Sequence, residues 1–329
     1  MSGAPPAPLL LVEDAHCRIP TGRGVVAALG GVDLTLAPGE ILGLVGESGS
    51  GKSTLAKLLI GVCAPGALTS GRVVLDGTDL ERIPREQARR IRGRRMGIVF
   101  QDPMMALNPV VPIGRQIIEA PRHNCGVSRE QALAEAIELL DQVGVPEPRR
   151  RLSHYPHQFS GGLRQRITIA MALACKPDIL IADEATTALD VTVQRQILDL
   201  LARLAAERSL AMIMVSHDLS VVAGRTHRTA VMYAGRIVEC GSTEQVFDDP
   251  AHPYTRALLD AILRMDRPPH TRLATIPGST PDLARLGEAC AFAPRCAHAV
   301  DCATRPAPPV ALDHSGRALR CHYPLGREH

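Results

Sequence analysis

The sequence is poor in aromatic side chains: only 2% of its 329 residues are Phe or Tyr, and tryptophan is absent. Proteins that grip single-stranded nucleic acid stack bases on aromatic faces, so this scarcity argues against such a partner. A formal net charge of +3 is likewise too small to mark a polyanion binder. Long apolar runs are missing as well. Those that exist, such as Ala211 to Val215, end long before the roughly 18 apolar residues that a membrane-spanning helix needs. Met1 to Pro8 holds proline and alanine with no basic stretch leading into an apolar one, which predicts a chain that is not exported and works in the cytoplasm. No tandem repeat or sustained heptad run is visible.

An apolar fraction of 45% and a charged fraction of 22% are those of a globular protein. The length accommodates an α/β domain of about 200 to 250 residues with an appendage. Short apolar runs that read as buried strands (Ile41 to Val45, Met96 to Phe100, Ile179 to Ala182, Ala211 to Val215) alternate with segments of helical period such as Leu55 to Ile60 and Val193 to Leu204. That alternation predicts an α/β fold, a mainly parallel sheet covered by helices. Between the second and third strands lies an insert, about residues 104–176, with helical patterns at Glu130 to Val143 and Leu163 to Cys175. The main domain is expected over 1–246. From 247 to 329 prolines crowd from Pro250 to Pro324, which opposes long helices and central strands and predicts a loop-rich module after one short helix near Tyr254 to Leu263.

Three motifs carry chemistry. Gly46-Glu47-Ser48-Gly49-Ser50-Gly51-Lys52-Ser53-Thr54 follows a strand and opens a helix, the context a P-loop requires. Its glycines let backbone N–H groups surround phosphate oxygens, Lys52 brings a point charge to the terminal phosphates, and the Ser53 hydroxyl can ligate Mg²⁺. Ile179 to Glu184 is an apolar strand ending in two carboxylates: Asp183 suits Mg²⁺ and Glu184 suits activation of water. Alone, that pair would read as a solvated strand end. Ser160-Gly161-Gly162 precedes a helix and can present amides to an anion; alone it reads as a serine N-cap with glycines in a turn.

The P-loop, Gln101 after its strand, Phe159-Ser160-Gly161-Gly162-Leu163-Arg164-Gln165, the Asp183-Glu184 pair, Ala188-Leu189-Asp190 and His217 occur in the order seen in ABC ATPases, which the chain resembles. Gln101-Asp102-Pro103, Tyr155-Pro156-His157-Gln158 and the tail from His252-Pro253-Tyr254 to the Cys290–Cys302 segment are similar to the ATPases of dipeptide, oligopeptide and nickel importers. The resemblance implies a P-loop NTPase fold with an inserted helical subdomain and an ATP-hydrolysing subunit that energises import. It implies ATP and Mg²⁺ as ligands, with Gln101 sensing Mg²⁺ and the permease, Asp190 communicating across a dimer, and His217 orienting the γ-phosphate and attacking water. Each ATP would lie between the P-loop of one subunit and the Ser160-Gly161-Gly162 signature of another. Implied partners are two integral membrane permease subunits, a second and related ATPase chain, and an extracytoplasmic substrate-binding protein. The chain would sit peripherally on the cytoplasmic face of the membrane. Read singly, Gln101 would be a surface amide, Asp190 a helix N-cap and His217 a satisfied strand-end histidine. A soluble ABC ATPase acting on ribosomes or DNA, the rival class, usually carries a second P-loop or a coiled coil, and neither occurs here.

The departures from the family pattern are local. Where an adenine-stacking aromatic is expected the chain has Cys17-Arg18-Ile19-Pro20; Leu163 stands in place of a glutamine and Ala185 in place of a proline. Four of the nine cysteines, Cys290, Cys296, Cys302 and Cys321, cluster near the end, separated by five, five and eighteen residues. Structural zinc sites use closer pairs. The resemblance points to a [4Fe–4S] cluster, with Zn²⁺ and four unligated thiols as alternatives. Arg85, Arg89, Arg90, Arg92, Arg94 and Arg95 form a basic run expected to be a solvated face or a subunit contact.

Overall fold

A computed structural model describes residues 7–22, 24–186, 189–262, 275–299 and 301–326. The chain divides into two units. One, the P-loop unit, comprises Leu10–Thr35, Leu42–Val74 and Ser216–His329; the other, the helical unit, comprises Met1–Leu9, Leu36–Ile41 and Leu75–Val215.

The P-loop unit begins with two long strands, β1 (Leu10–Thr21) and β2 (Gly24–Leu36), in which Leu10, Val12, Ala15 and Cys17 point inward while Asp14 and Arg18 face out. This period-2 burial, shifted by one residue at left-handed Asp14 (φ 48°), is how a half-buried sheet excludes water on one face. All five residues of β3 (Ile41–Val45) are buried, and the chain passes from it through the glycine-rich loop into α1 (Lys52–Ile60). Strand β4 (Leu68–Leu75) follows and neighbours β1.

In the helical unit, β5 (Thr78–Asp79) leads to α2 (Arg85–Arg95), whose only buried residue is Ala88. Its arginines pair outward. Arg90 and Arg89 meet Glu86 at 3.3 and 3.8 Å, Arg92 meets Glu81 at 2.6 Å, and Arg95 pairs with Asp178 and, at 3.0 Å, with Asp76. Four of the six arginines of the basic run are thus balanced by carboxylates, Arg92 and Arg95 in part-buried positions. Next come β6 (Met96–Val99), α3 (Pro103–Ala106), α4 (Ile113–Ala120), α5 (Arg129–Gln142), α6 (Pro148–Arg151) and α7 (Gly161–Leu173). Helix α4 runs on into one π-helical turn, Pro121–Cys125. Ser128 caps α5 by accepting the Gln131 N–H at 3.1 Å. The unit ends with β7 (Ile179–Asp183), α8 (Val191–Arg208) and β8 (Ala211–Ser216). β6, β7 and β8 are parallel neighbours in register Val99↔Ala182 and Asp183↔Val215. Because β7 and β8 are buried on both faces, their sequences are continuous apolar runs.

The P-loop unit resumes with α9 (Leu219–Val222), β9 (Arg228–Tyr233), β10 (Arg236–Ser242), α10 (Thr243–Asp248) and α11 (Pro253–Asp260). β9 runs parallel to β3, pairing Val231 with Val45, and a tight turn returns β10 antiparallel. Leu263, expected in the helix of α11, lies outside the described residues. The proline-rich end supplies two short strands, β11 (Ala311–Leu312) and β12 (Ala318–Leu319); β12 pairs antiparallel with β10, Leu319 opposite Glu239. Fully buried Glu239 fastens this end. It accepts the Ala251 and His252 N–H groups at 2.9 Å each and pairs with Arg317 at 3.3 Å. A buried carboxylate so paired persists because removing Arg317 would leave its charge unpaired in low dielectric, a loss of about 3 to 5 kcal/mol.

Candidate nucleotide site

The P-loop is held by backbone crowding that only glycine tolerates. A Cβ on Gly46 (φ 150°) would come within 2.1 Å of the Met232 carbonyl oxygen, and one on Gly51 (φ 105°) within 2.7 Å of the Ala28 carbonyl oxygen. The Gly235 N–H donates to the Ser50 carbonyl at 2.8 Å, tying the loop to the β9–β10 turn. Lys52 is 3% exposed at the start of α1. Its Nζ donates to the Gly46 and Glu47 carbonyls at 2.7 and 2.9 Å and to Ser50 Oγ at 3.4 Å, so the loop curls around its own ammonium. Ser48 and Gly49 form the exposed tip, and Ser53 and Thr54 occupy the first turn of the helix. A loop of this shape at a helix N-terminus offers amides and a positive dipole end to phosphate. In the same unit His217 is exposed, on the turn between β8 and α9 that Asp218 caps through the Ser220 N–H at 2.8 Å.

In the helical unit the parallel register brings two predicted residues together. Gln101 follows β6 and Glu184 follows β7, and the Gln101 amide Nε2 donates to Glu184 Oε2 at 3.1 Å. Asp183, the last residue of β7, is 3% exposed. Glu184 adopts a left-handed conformation (φ 47°) while its N–H donates to the Val215 carbonyl at 3.1 Å. A non-glycine residue in that region carries strain of order 1 to 3 kcal/mol, which surrounding structure must hold in place and which concentrates at working sites. Ser160 caps the 13-residue helix α7, its Oγ accepting the Leu163 N–H at 3.4 Å. A Cβ on Gly162 would meet Val193 Cγ1 at 2.9 Å, so glycine there lets α7 start against α8. Asp190 caps α8 by accepting the Val193 N–H at 3.0 Å. Ala188 lies outside the described residues.

Cys17 is fully buried in β1, leaving part-exposed Ile19 and exposed Arg18 as the outward residues where an adenine-stacking aromatic is expected. Burial and the neighbouring Cys63 push the Cys17 thiol up to about 11. Burial and Cys125 likewise push Cys175 up to about 12, so these thiols stay protonated and unreactive at neutral pH.

The late cysteines lie within electrostatic reach of one another. The Cys290 N–H donates to the Cys302 carbonyl at 3.3 Å. Burial, then the other thiols, raise Cys302 and push Cys321 up to about 12. Even so, among the described residues no group of three or more His, Cys, Asp or Glu is arranged to hold a metal ion. The thiols stand as neighbours and do not form a finished cage.

Sequence reasoning passed over Arg295 and Tyr233, and it met Tyr254 only as part of the tail motif, without its contact to Glu47. No motif signals these contacts, because Tyr254 and Arg295 lie 207 and 248 positions from Glu47 with no spacing rule to connect them.

No helix among the described residues is long and apolar enough to cross a membrane. Residues 29–187 match the family described as ABC transporter, and residues 238–302 match the family described as oligopeptide/dipeptide transporter, C-terminal region. The oligopeptide transport ATP-binding protein OppD of Haemophilus influenzae is 45% identical over 314 residues, covering 95% of this chain and 97% of its own. OppD of Salmonella typhimurium is 44% identical over 317 residues, covering 96% and 94%. Among solved structures, the dimeric ATP-binding cassette MJ0796 in a post-hydrolysis state bound to ADP and Pi superposes with a TM-score of 0.63 at 28% identity, covering 71% of this chain and 98% of that one. The fold is the ABC ATPase cassette, and the chain belongs to the ABC transporter ATP-binding proteins, in the group that carries the oligopeptide/dipeptide C-terminal region.

Proposed function

We propose that this ATPase hydrolyses Mg²⁺-bound ATP at the P-loop and thereby drives import of peptides or related small solutes through a membrane permease. The observation that carries the reading is the pairing of Gln101 with a strained Glu184 directly after buried Asp183. Gly46, Ser48, Gly49, Ser50, Gly51 and Thr54 shape the phosphate cradle, and Lys52 neutralises the terminal phosphates. Ser53, Gln101 and Asp183 are the oxygen donors for Mg²⁺, a hard donor set that suits that ion. Glu184 takes the proton of the attacking water, and His217 holds that water toward the γ-phosphate. Ser160, Gly161 and Gly162 present the N-terminus of α7 to the ATP of a partner ATPase, and Asp190 lies at the same surface. Two permease subunits, a second related ATPase chain and an extracytoplasmic binding protein complete the assembly, on the cytoplasmic face of the membrane. The 238–302 match and the OppD relatives support a peptide cargo.

Cys290, Cys296, Cys302 and Cys321 are assigned to one [4Fe–4S] cluster in preference to zinc, supported by their mutual proximity in a segment too rich in proline to build a packed core. Their arrangement here is looser than a cage, so loading requires them to close in. Anaerobic purification with iron, sulfide and zinc analysis is expected to give about four iron and four sulfide per chain. Protein kept reduced throughout that carries no metal contradicts the assignment.

The transport reading is tested by reconstituting the complex in lipid vesicles with its binding protein. Uptake of a labelled oligopeptide is expected to require internal ATP and to vanish in Lys52→Ala. Uptake that persists in that variant, or a complex that moves no peptide of any length, contradicts it.

A further inference from the structure

The second residue of the P-loop is clamped from the other end of the sequence. Arg295 forks onto the Glu47 carboxylate, Nη1 to Oε2 at 2.7 Å and Nη2 to Oε1 at 3.0 Å. The same guanidinium donates through Nε to the Pro277 carbonyl at 2.8 Å and through Nη1 to the Tyr233 hydroxyl at 3.2 Å, and it lies 5.9 Å from the centre of the Tyr233 ring. Its side chain is 5% exposed. The Glu47 N–H donates to the hydroxyl of fully buried Tyr254 at 2.9 Å. Tyr233, Tyr254 and Phe292 pack ring to ring, with centroids 4.5, 5.3 and 5.2 Å apart. Three of the eight Phe and Tyr residues of an aromatic-poor chain are thus spent behind one P-loop residue.

Burying an arginine against a glutamate that is 25% exposed is a weak way to gain stability, since desolvating the guanidinium offsets much of the attraction. Its advantage over apolar packing is geometric, because a two-pronged fork fixes both position and plane of the carboxylate. The Glu47 amide, already given to Tyr254, anchors the loop and is not spent on a phosphate. We propose that Arg295, assisted by Tyr254, is a positioning residue of the nucleotide site: it fixes Glu47 and so sets the first turn of the P-loop for phosphate binding. The C-terminal segment is then part of the ATP site. This rests on the reading of Gly46–Thr54 as the ATP cradle.

The proposal predicts an effect on ATP affinity more than on turnover, since a displaced cradle weakens ground state and transition state alike. The test is MgATP-dependent hydrolysis by the assembled transporter, with KM and kcat read separately. Arg295→Met is expected to raise KM about tenfold while kcat changes by less than about threefold, the scale of one lost charge-assisted pair. Glu47→Gln combined with Arg295→Met is expected to be no worse than Arg295→Met alone, and Arg295→Lys to recover part of the loss. Tyr254→Phe, which keeps the ring, is expected to raise KM by about threefold, in line with one neutral hydrogen bond. Wild-type KM in Arg295→Met overturns the proposal, whether or not thermal stability falls. If that variant does not fold, wild-type KM in both Arg295→Lys and Tyr254→Phe overturns it. Lys52→Ala serves as the reference: full activity in it sinks the cradle reading itself, whereas an inactive Lys52→Ala beside unaffected Arg295 variants sinks only the positioning role.

Discussion

At the scale of single residues, Glu184 combines a strained backbone conformation with the general-base role proposed for it. With φ at 47°, a Cβ is strained there, so the usual order of stabilities should invert. Glu184→Gly is expected to be more stable than Glu184→Ala by about 0.5 to 1 kcal/mol in denaturant titration. The reverse order would mean that the left-handed turn is absent in solution. His252 makes a second case. Its Nδ1 accepts the Tyr254 N–H at 3.0 Å, so the ring is neutral, and complete burial pushes its pKa down to about 4. The unfolded chain then binds the extra proton between about pH 6.5 and 4, so stability is full above that window and falls as pH drops through it. Going from pH 7 to 5 is expected to cost about 2 kcal/mol at this site. His252→Asn keeps an acceptor for the Tyr254 N–H and should flatten that part of the profile in denaturation midpoints against pH; an unchanged slope assigns it to other groups.

Among elements, the two capped helices around the signature separate structure from communication. Asp190 is both the N-cap of α8 and a proposed contact to the partner ATPase. Asp190→Ala is expected to lose about 1 kcal/mol of stability with the cap. Asp190→Asn keeps the cap, so it should hold stability while lowering turnover in the complex; equal turnover would reduce Asp190 to a cap alone. The same elements show what could be read without coordinates. Buried strands such as β7 and β8 were legible because burial on both faces forces a continuous apolar run, and α5 and α7 because their apolar faces repeat every turn. The long β1 and β2 were not anticipated: their alternation is interrupted by Asp14, His16 and paired glycines at Gly30 and Gly31, which mask a period of two. The P-loop and the Asp183-Glu184 pair stood out because phosphate chemistry constrains consecutive residues, whereas Gln101 was singled out only through the family resemblance. The contacts of Arg295 and Tyr254 with Glu47 were not legible, because pairing between distant segments leaves no local pattern. Strand β11 at the sheet edge and its neighbour β12, two residues each, are too short for any periodicity to show.

For the whole molecule, the shared-site reading assigns the signature at Ser160 to the nucleotide held by the P-loop of a partner ATPase. Ser160→Arg should therefore leave ATP binding by this chain's own P-loop intact and impair hydrolysis at the site whose P-loop is on the partner, measured by nucleotide trapping on each chain separately. Loss confined to this chain's own site would contradict the shared arrangement. The central claim, that hydrolysis here is ATP chemistry run by Glu184, is tested most directly by Mg²⁺-dependent ATP turnover of the assembled transporter with Glu184→Gln. The account predicts that ATP still binds while turnover falls by about a hundredfold or more, the scale of a lost general base. Undiminished turnover in that variant would contradict it.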